Sequence, residues 1–232
     1  MTGRLATLVR HDARLQARYG IYAAYSVVIA LYAGVLWFAG PRLPKWVIAL
    51  TVLSDPAVLG FFFVGGLMLL EKAEAARVAL AMTPVSAADY LASKTITLTG
   101  LALVAVTVLG WLTPGPVDWP LYLVTVTLIS VQFIGIGTVF GLRFKTVTGY
   151  LIGSGAYMLP FVGPGGFALM DPMPIGFAVL PFAAPVRLTL VAMGASTAQG
   201  WEIAFMLAIL AAYAAAGVWW GLAALRSELG YK

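Results

Sequence analysis

The stretch LLEKAEAARVALAMTP, residues 69–84, separates two long apolar blocks of the chain. No charged residue lies between residues 59 and 70, and after Lys94 the next charge is Asp118. Because ionised groups are costly in hydrocarbon, the stretch marks a point where the chain leaves a bilayer. Its composition favours a helix, which Pro84 ends by disfavouring the α conformation at residue 83. We predict a short helix outside the membrane, either a solvated connection or a docking helix for a cytosolic partner.

The composition places the whole chain in a membrane. Of 232 residues, 62% are hydrophobic and only 10% are charged, against about 25% charged in soluble domains. The apolar runs are continuous, which argues against the alternating pattern of a barrel. Because one span needs about 20 apolar residues, six spans with short connections use the chain. We therefore predict one all-α integral membrane domain, residues 1–232.

The predicted spans follow from apolar runs and turn signals. The second is interrupted by Ser54-Asp55-Pro56, where Asp as N-cap and Pro at the first helical position predict a helix restarting at Pro56. Residues 46–53 would then be an interfacial piece. The region from 160 to 185 is rich in Pro and Gly yet apolar, which predicts re-entrant half-helices shielded by protein between spans 5 and 6. The spans run over residues 20–39, 46–70, 90–112, 119–142, 147 to about 160, and 201–225.

The N-terminal segment, residues 2–19, has the pattern of an amphipathic helix. At 100° per residue, leucines and valines fall on one side, which Asp12 interrupts. Such a helix is expected in the headgroup plane; a basic tail that only sets orientation is an equal alternative. The opposite side holds Arg4, Arg10, His11, Arg14 and Arg18.

The distribution of basic residues predicts the orientation. Eleven Lys and Arg lie at the two termini, in residues 71–94 and in the loop 143–145. The other side has three, Arg42, Lys45 and Arg187. The positive-inside rule then predicts that both termini and the 69–84 stretch are cytosolic.

Few residues of the sequence have the type and spacing that catalysis or metal binding requires. The single histidine is His11, and no metal-ligand spacing or P-loop sequence is present, so we predict no catalytic residue, metal or cofactor in this chain, and no enzyme. The net charge of +5 is spread over short segments, which argues against a nucleic-acid partner. Three Gly-x-x-x-Gly motifs predict close helix contacts, within the chain or between subunits. They occupy residues 137–141, 149–153 and 217–221.

The charged stretch and the residues that follow it resemble a known family. The acidic and basic residues at 71–74, followed by Ala-Leu-x-x-Thr-Pro at 79–84 and Tyr-Leu-x-x-Lys at 90–94, resemble the ABC-2 type permeases. The similarity is greatest to the fluoroquinolone export permeases of bacterial drug exporters, which also carry Asp-Pro before span 2. Ala75 is a departure, since Gly is frequent there in the family.

The resemblance implies the transmembrane domain of a type V ATP-binding-cassette exporter in a bacterial plasma membrane. Two such subunits, identical or different, would pair in the lipid bilayer, and each would dock on a separate cytosolic ATPase that binds ATP and Mg. Residues 2–19 would be a connecting helix and residues 71–82 the coupling helix. Its proposed ATPase-coupling residues are Glu71, Lys72, Glu74, Arg77 and Leu80, and candidates for the translocation path are Asp55, Phe62 and Gln132.

The implied activity is export of a hydrophobic, drug-like molecule or lipid, as in multidrug efflux and antibiotic resistance. Alternatives are a six-span scaffold or assembly protein without transport and a haem-export-type permease. The simpler role of Asp55 is a helix cap, and that of Gln132 is an interhelical hydrogen bond. A secondary transporter is disfavoured, because no acidic residue is predicted at mid-membrane.

Overall fold

The computed structural model describes residues 2–73 and 85–229, apart from the side chains of residues 2, 55–59 and 229. Every regular element in these ranges is helical, which confirms the predicted all-α class. Three 3₁₀ helices, Gly40–Arg42, Gly163–Leu169 and Ile175–Val179, accompany the α-helices. The α-helices are α1 (Thr2–Arg18), α2 (Ile21–Ala39), α3 (Lys45–Ala73), α4 (Ala87–Leu112), α5 (Trp119–Arg143), α6 (Val147–Val162), α7 (Ala183–Ala192) and α8 (Gly200–Leu229).

Four segments in the described part of the chain are long and apolar enough to cross a membrane: Ile21–Arg42, α4, α5 and Gly200–Glu228. They coincide with four of the six predicted spans. The predicted second span lies within α3, a helix of 29 residues. The predicted fifth span corresponds to α6, which has 16 residues.

Helix α5 lies at the centre of the bundle. In the 18-residue apolar stretch of α5, 72% of the residues are buried, against 17% in the corresponding stretch of Ile21–Arg42. Glycines allow the close approach of its neighbours. A Cβ on Gly135 would lie 2.3 Å from the carbonyl carbon of Gly217 in α8, and one on Gly141 would lie 2.8 Å from the Cα of Gly65 in α3. The first and third Gly-x-x-x-Gly motifs thus make contacts within the chain.

The predicted helix break at Pro56 is wrong, because α3 runs without interruption from Lys45 to Ala73. Val52 and Leu53 before the proline and Phe61 after it belong to one buried core. Proline costs a helix one hydrogen bond, but packing by neighbouring helices makes it tolerable in membrane proteins.

The broken segment between α6 and α8 consists of two 3₁₀ helices and α7, so the predicted short helical pieces are present. The buried guanidinium of Arg187 connects α7 to residues that precede it and follow it in the chain. It donates to the carbonyls of Met170 at 3.0 Å and Thr197 at 3.2 Å, and to the carboxylate of Asp171 at 3.0 Å. Backbone outside a regular helix needs such partners when water is excluded.

Helix α1 is amphipathic as predicted, but its apolar side packs on protein. It contacts α4 and α2, with Leu5, Leu8 and Leu15 half-buried. The most buried side chains on this side are polar: Asp12 is 6% exposed and Gln16 is fully buried. The interruption at Asp12 is therefore the centre of the contact between α1 and the bundle.

Candidate functional site: a buried ion cluster

The ion cluster, defined as Asp12, Glu71, Tyr90, Ser93 and Lys94, forms where α1, α3 and α4 meet. The Lys94 Nζ lies 2.5 Å from a Glu71 carboxylate oxygen and 3.2 Å from one of Asp12. The Lys94 and Glu71 side chains are each 1% exposed, and that of Asp12 is 8% exposed. One ammonium group therefore joins two carboxylates from two other helices inside the protein.

Hydroxyl groups complete the coordination of both carboxylates. Tyr90 donates its phenol proton to the second oxygen of Glu71 at 2.5 Å, and Ser93 donates to the second oxygen of Asp12 at 2.5 Å. The Lys94 Nζ also lies 4.6 Å from the centroid of the Tyr90 ring. A buried charge is costly unless it is paired and hydrogen-bonded, and each carboxylate here has both kinds of partner.

The positions of these residues follow from local sequence. Ser86 caps α4 by accepting from the backbone N–H of Asp89, whose side chain accepts in return from the Ser86 N–H. This capping box fixes where α4 begins. From that start, Tyr90, Ser93 and Lys94 fall on one side of the helix, because residues three and four apart are neighbours.

One turn further along, Gln16 of α1 donates to the Thr97 hydroxyl of α4 at 2.7 Å. The contacts of Asp12 and Gln16 with α4 are thus spaced alike on both helices. This register makes the attachment of α1 specific, because a shift by one residue would separate each polar pair.

In sequence, Glu71 precedes the 74–84 segment, and Tyr90, Ser93 and Lys94 follow it. Glu71 is in the last turn of α3, three residues before the segment, and Tyr90 and Lys94 lie in α4, six and ten residues after it. The Glu71–Lys94 contact therefore joins the last turn of α3 to the N-terminal part of α4. Asp12 adds α1 to the same junction.

The residues predicted for ATPase coupling are distributed differently from expectation. Helix α3 continues through Ala73, past the predicted start of the coupling helix at residue 71, and Glu71, predicted to take part in ATPase coupling, is buried in the ion cluster. Lys72 is exposed. Glu74, Arg77 and Leu80, with the rest of the predicted coupling helix up to residue 82, lie outside the described residues.

Phe62 and Gln132, both predicted for the translocation path, lie at contacts with different helices. Phe62 is half-buried on α3, with its ring centroid 6.2 Å from that of Tyr150 in α6. Gln132 is 3% exposed, where α5 meets α8 at Gly217. Asp55 lies within α3, and its side chain is outside the described part. Their role in transport stays a prediction.

An aromatic cluster surrounds Phe62. Tyr150 is fully buried and donates its hydroxyl proton to the Phe61 carbonyl at 2.6 Å. A Cβ on Gly65 would lie 2.2 Å from its ring, so only glycine leaves room for this tyrosine. The ring centroid of Phe61 lies 5.6 Å from that of Tyr150 and 5.8 Å from that of Phe140 in α5. These contacts attach α6 to the bundle.

Sequence reasoning missed the contacts of Asp12, Tyr90, Ser93 and Lys94 with one another and with Glu71; it used Tyr90 and Lys94 as motif residues and counted the charge of Lys94 for orientation. A signal was present for two of them: Asp12 is the one acidic residue on the inner side of α1, and Lys94 ends the Tyr-Leu-x-x-Lys motif. Arg187 was counted only for orientation. Among the described residues, no group of three His, Asp or Glu side chains could hold a metal ion.

Comparison with known proteins identifies the family. The Fluoroquinolones export permease protein family matches residues 3–226, nearly the whole chain. Two relatives from different strains of Mycobacterium tuberculosis, each named a fluoroquinolones export permease protein, are 25% identical to it over 212 residues. The alignment covers 87% of this chain and 86% of each relative. The match is to the group that the 71–94 motifs resemble, and the chain belongs to the fluoroquinolones export permease protein family.

Proposed function

We propose that the chain is the membrane-spanning subunit of an ATP-binding-cassette exporter, which moves a hydrophobic drug-like molecule while a separate subunit hydrolyses ATP. The ion cluster is the observation that carries the coupling part of this proposal. Force applied to a connection is transmitted best when both its ends are tied to the same rigid unit. Glu71 and Lys94 tie them here at 2.5 Å.

The partner-facing part of the coupling element is assigned to the segment between the described helices. Glu71 cannot present its charge to a partner from a buried position, and we give it the role of an anchor. The exposed Lys72 together with Glu74, Arg77 and Leu80 are then the candidates for contact with the ATPase. Charges at an interface set the choice of partner and the rate of association more than they set affinity.

In the proposed arrangement, α2 to α6 and α8 are six spans, and both termini are cytosolic. The chain contains no cysteine, so single cysteines report topology without background. We expect a cysteine at the exposed Pro116 to react with an impermeant thiol reagent in intact cells, and one at the exposed Lys145 to react only after lysis. The reverse pattern would contradict the orientation.

The translocation path is proposed to lie between two permease subunits. Helix α5 and its tightly packed neighbours fill the centre of the described bundle, so walls for a passage have to come from an outer surface. A second copy or a related chain would supply the other wall.

Coupling is tested by reversing charges in the segment. We expect Glu74→Lys with Arg77→Glu to abolish co-purification of the ATPase, because like charges then face each other in the interface. Lys145→Glu, an exposed change in another cytosolic loop, is the control. Normal assembly in the double variant would remove these residues from the interface, and a wild-type chain without any ATPase partner would favour the scaffold alternative.

Transport is tested separately in cells that contain both subunits. Many fluoroquinolones are fluorescent, so their accumulation can be followed directly. We expect lower accumulation with the wild-type pair than with a pair whose ATPase is inactive. Equal accumulation despite a stable complex would leave the ABC assembly intact and exclude this drug class as substrate.

A further inference from the structure

The outward side of α1 is a strip of exposed basic side chains. Arg10 and Arg14 are one turn apart and exposed, and His11 lies beside them. At 100° per residue, they point away from Asp12 and Gln16, which are buried. Asp12 is the sole acidic residue of α1 and faces inward, so the outward side carries no negative side chain. Arg4 and Arg18 extend the strip to both ends of the helix.

The level of α1 relative to the membrane follows from its contacts with α4. Ser93 and Thr97, which bind Asp12 and Gln16, are six and ten residues after Ala87, the first residue of α4. At 1.5 Å per residue they lie about 9 and 15 Å along that helix. A helix of 26 residues exceeds a ~30 Å hydrocarbon core by only a few ångströms at each end. Asp12, in the middle of α1, is therefore at a level within about 5 Å of the membrane boundary.

The short connection between α1 and α2 also places α1 near the membrane boundary. Only Tyr19 and Gly20 separate α1 from α2, and Gly20 adopts a left-handed conformation with φ 71°, which permits the sharp turn. The segment Ile21–Arg42 is long and apolar enough to span a membrane. The end of α1 is thus fixed where that segment begins.

From these observations we propose that the basic strip of α1, centred on Arg10 and Arg14, binds the headgroups of anionic phospholipids. Its inner side is occupied by α4, and its outer side lies at the level of the headgroup layer. Arginine forms bidentate hydrogen bonds with phosphate oxygens, and clusters of basic residues on an amphipathic helix are attracted to anionic lipid surfaces. The proposal needs no ATPase and goes beyond the proposed function.

The test compares two matched double variants of the full-length protein in lipid nanodiscs. Arg10→Gln with Arg14→Gln removes two charges from the strip, and the loop variant, Arg143→Gln with Lys145→Gln, removes two exposed charges at the end of α5 and in the loop after it. The probe is phosphatidylglycerol, raised from zero in a phosphatidylcholine background. Retained lipid is counted by native mass spectrometry, and unfolding temperature is recorded in parallel.

We expect the wild type and the loop variant to retain phosphatidylglycerol over phosphatidylcholine, and the strip variant to lose this preference by roughly thirty-fold, about five-fold for each arginine. Salt at 1 M should reduce the preference, because it screens charges beyond about 3 Å. Equal unfolding temperatures in pure phosphatidylcholine would verify that the strip variant is folded. Equal phosphatidylglycerol retention by both variants would overturn the proposal, as would a strip variant that loses only ATPase binding.

Discussion

The Lys94 ammonium group lies 2.5 Å from a Glu71 carboxylate oxygen, at a point where both side chains are almost completely buried. The two residues belong to different helices that run on either side of the 74–84 connection. An ion pair in this position contributes little net stability, because desolvation of the charges offsets their attraction. Removing one partner is a different matter, since it leaves a charge buried without compensation.

Replacing Lys94 should therefore be strongly destabilising. We expect Lys94→Met to cost about 3 to 5 kcal/mol, because Glu71 and Asp12 would be left as two buried carboxylates without their shared cation. The control is Lys72→Met, which removes an exposed lysine from the last turn of α3. The denaturant midpoint of unfolding in detergent would be measured for both methionine variants. Equal midpoints would show that the cluster does not hold the three helices together.

The Asp12 carboxylate should decide whether α1 stays attached. Asp12→Asn removes the charge that accepts from Ser93 and Lys94, and hydrogen bonds to charged groups contribute about 1.5 to 3 kcal/mol. We expect faster proteolytic cleavage between α1 and α2, with α3 to α8 still folded. His11→Asn, a change at an exposed neighbour in α1, should leave the cleavage rate unchanged; acceleration in both variants would contradict a specific role for Asp12.

Much of the helix order could be predicted from sequence, because long apolar runs bounded by Pro, Gly and charges leave little choice in a bilayer. The error at Pro56 has a physical reason. Capping rules treat a helix in water, whereas α3 is held by the same core on both sides of the proline. Tertiary packing outweighed the local signal.

The candidate site was predictable only in part. The charges at residues 71–94 marked the right junction, but periodicity cannot tell a solvated charge from one paired across helices. Glu71 and Lys94 are 23 residues apart in sequence, and Lys94 and Asp12 are 82 apart. Such pairs become visible only once the helices are packed.

Glycine at position 135 should be required for the contact between α5 and α8. A Cβ there would lie 2.3 Å from the Gly217 carbonyl carbon, which is backbone and cannot rotate away. We expect Gly135→Ala to destabilise by about 1 to 3 kcal/mol, the range for overpacking. In α4, a Cβ on Gly100 would meet nothing within 4 Å, so Gly100→Ala should be neutral or stabilising by up to about 1 kcal/mol. Thermal unfolding of the two alanine variants measures the difference, and similar unfolding temperatures would contradict the close helix crossing.

Arg187 should control the order of the segment between α6 and α8. Its guanidinium donates to carbonyls on both sides of α7, and Arg187→Met would remove the donor that joins them. Hydrogen bonds to charged groups contribute about 1.5 to 3 kcal/mol each. We expect protease sensitivity within residues 163–199 at temperatures where the wild type is resistant. Arg187→Lys should restore protease resistance only in part, because a lysine ammonium group lacks the planar guanidinium that reaches several acceptors.

The control is Arg42→Met, which removes an exposed arginine adjoining α2. Wild-type resistance in Arg187→Met would show that the segment is ordered by apolar packing alone.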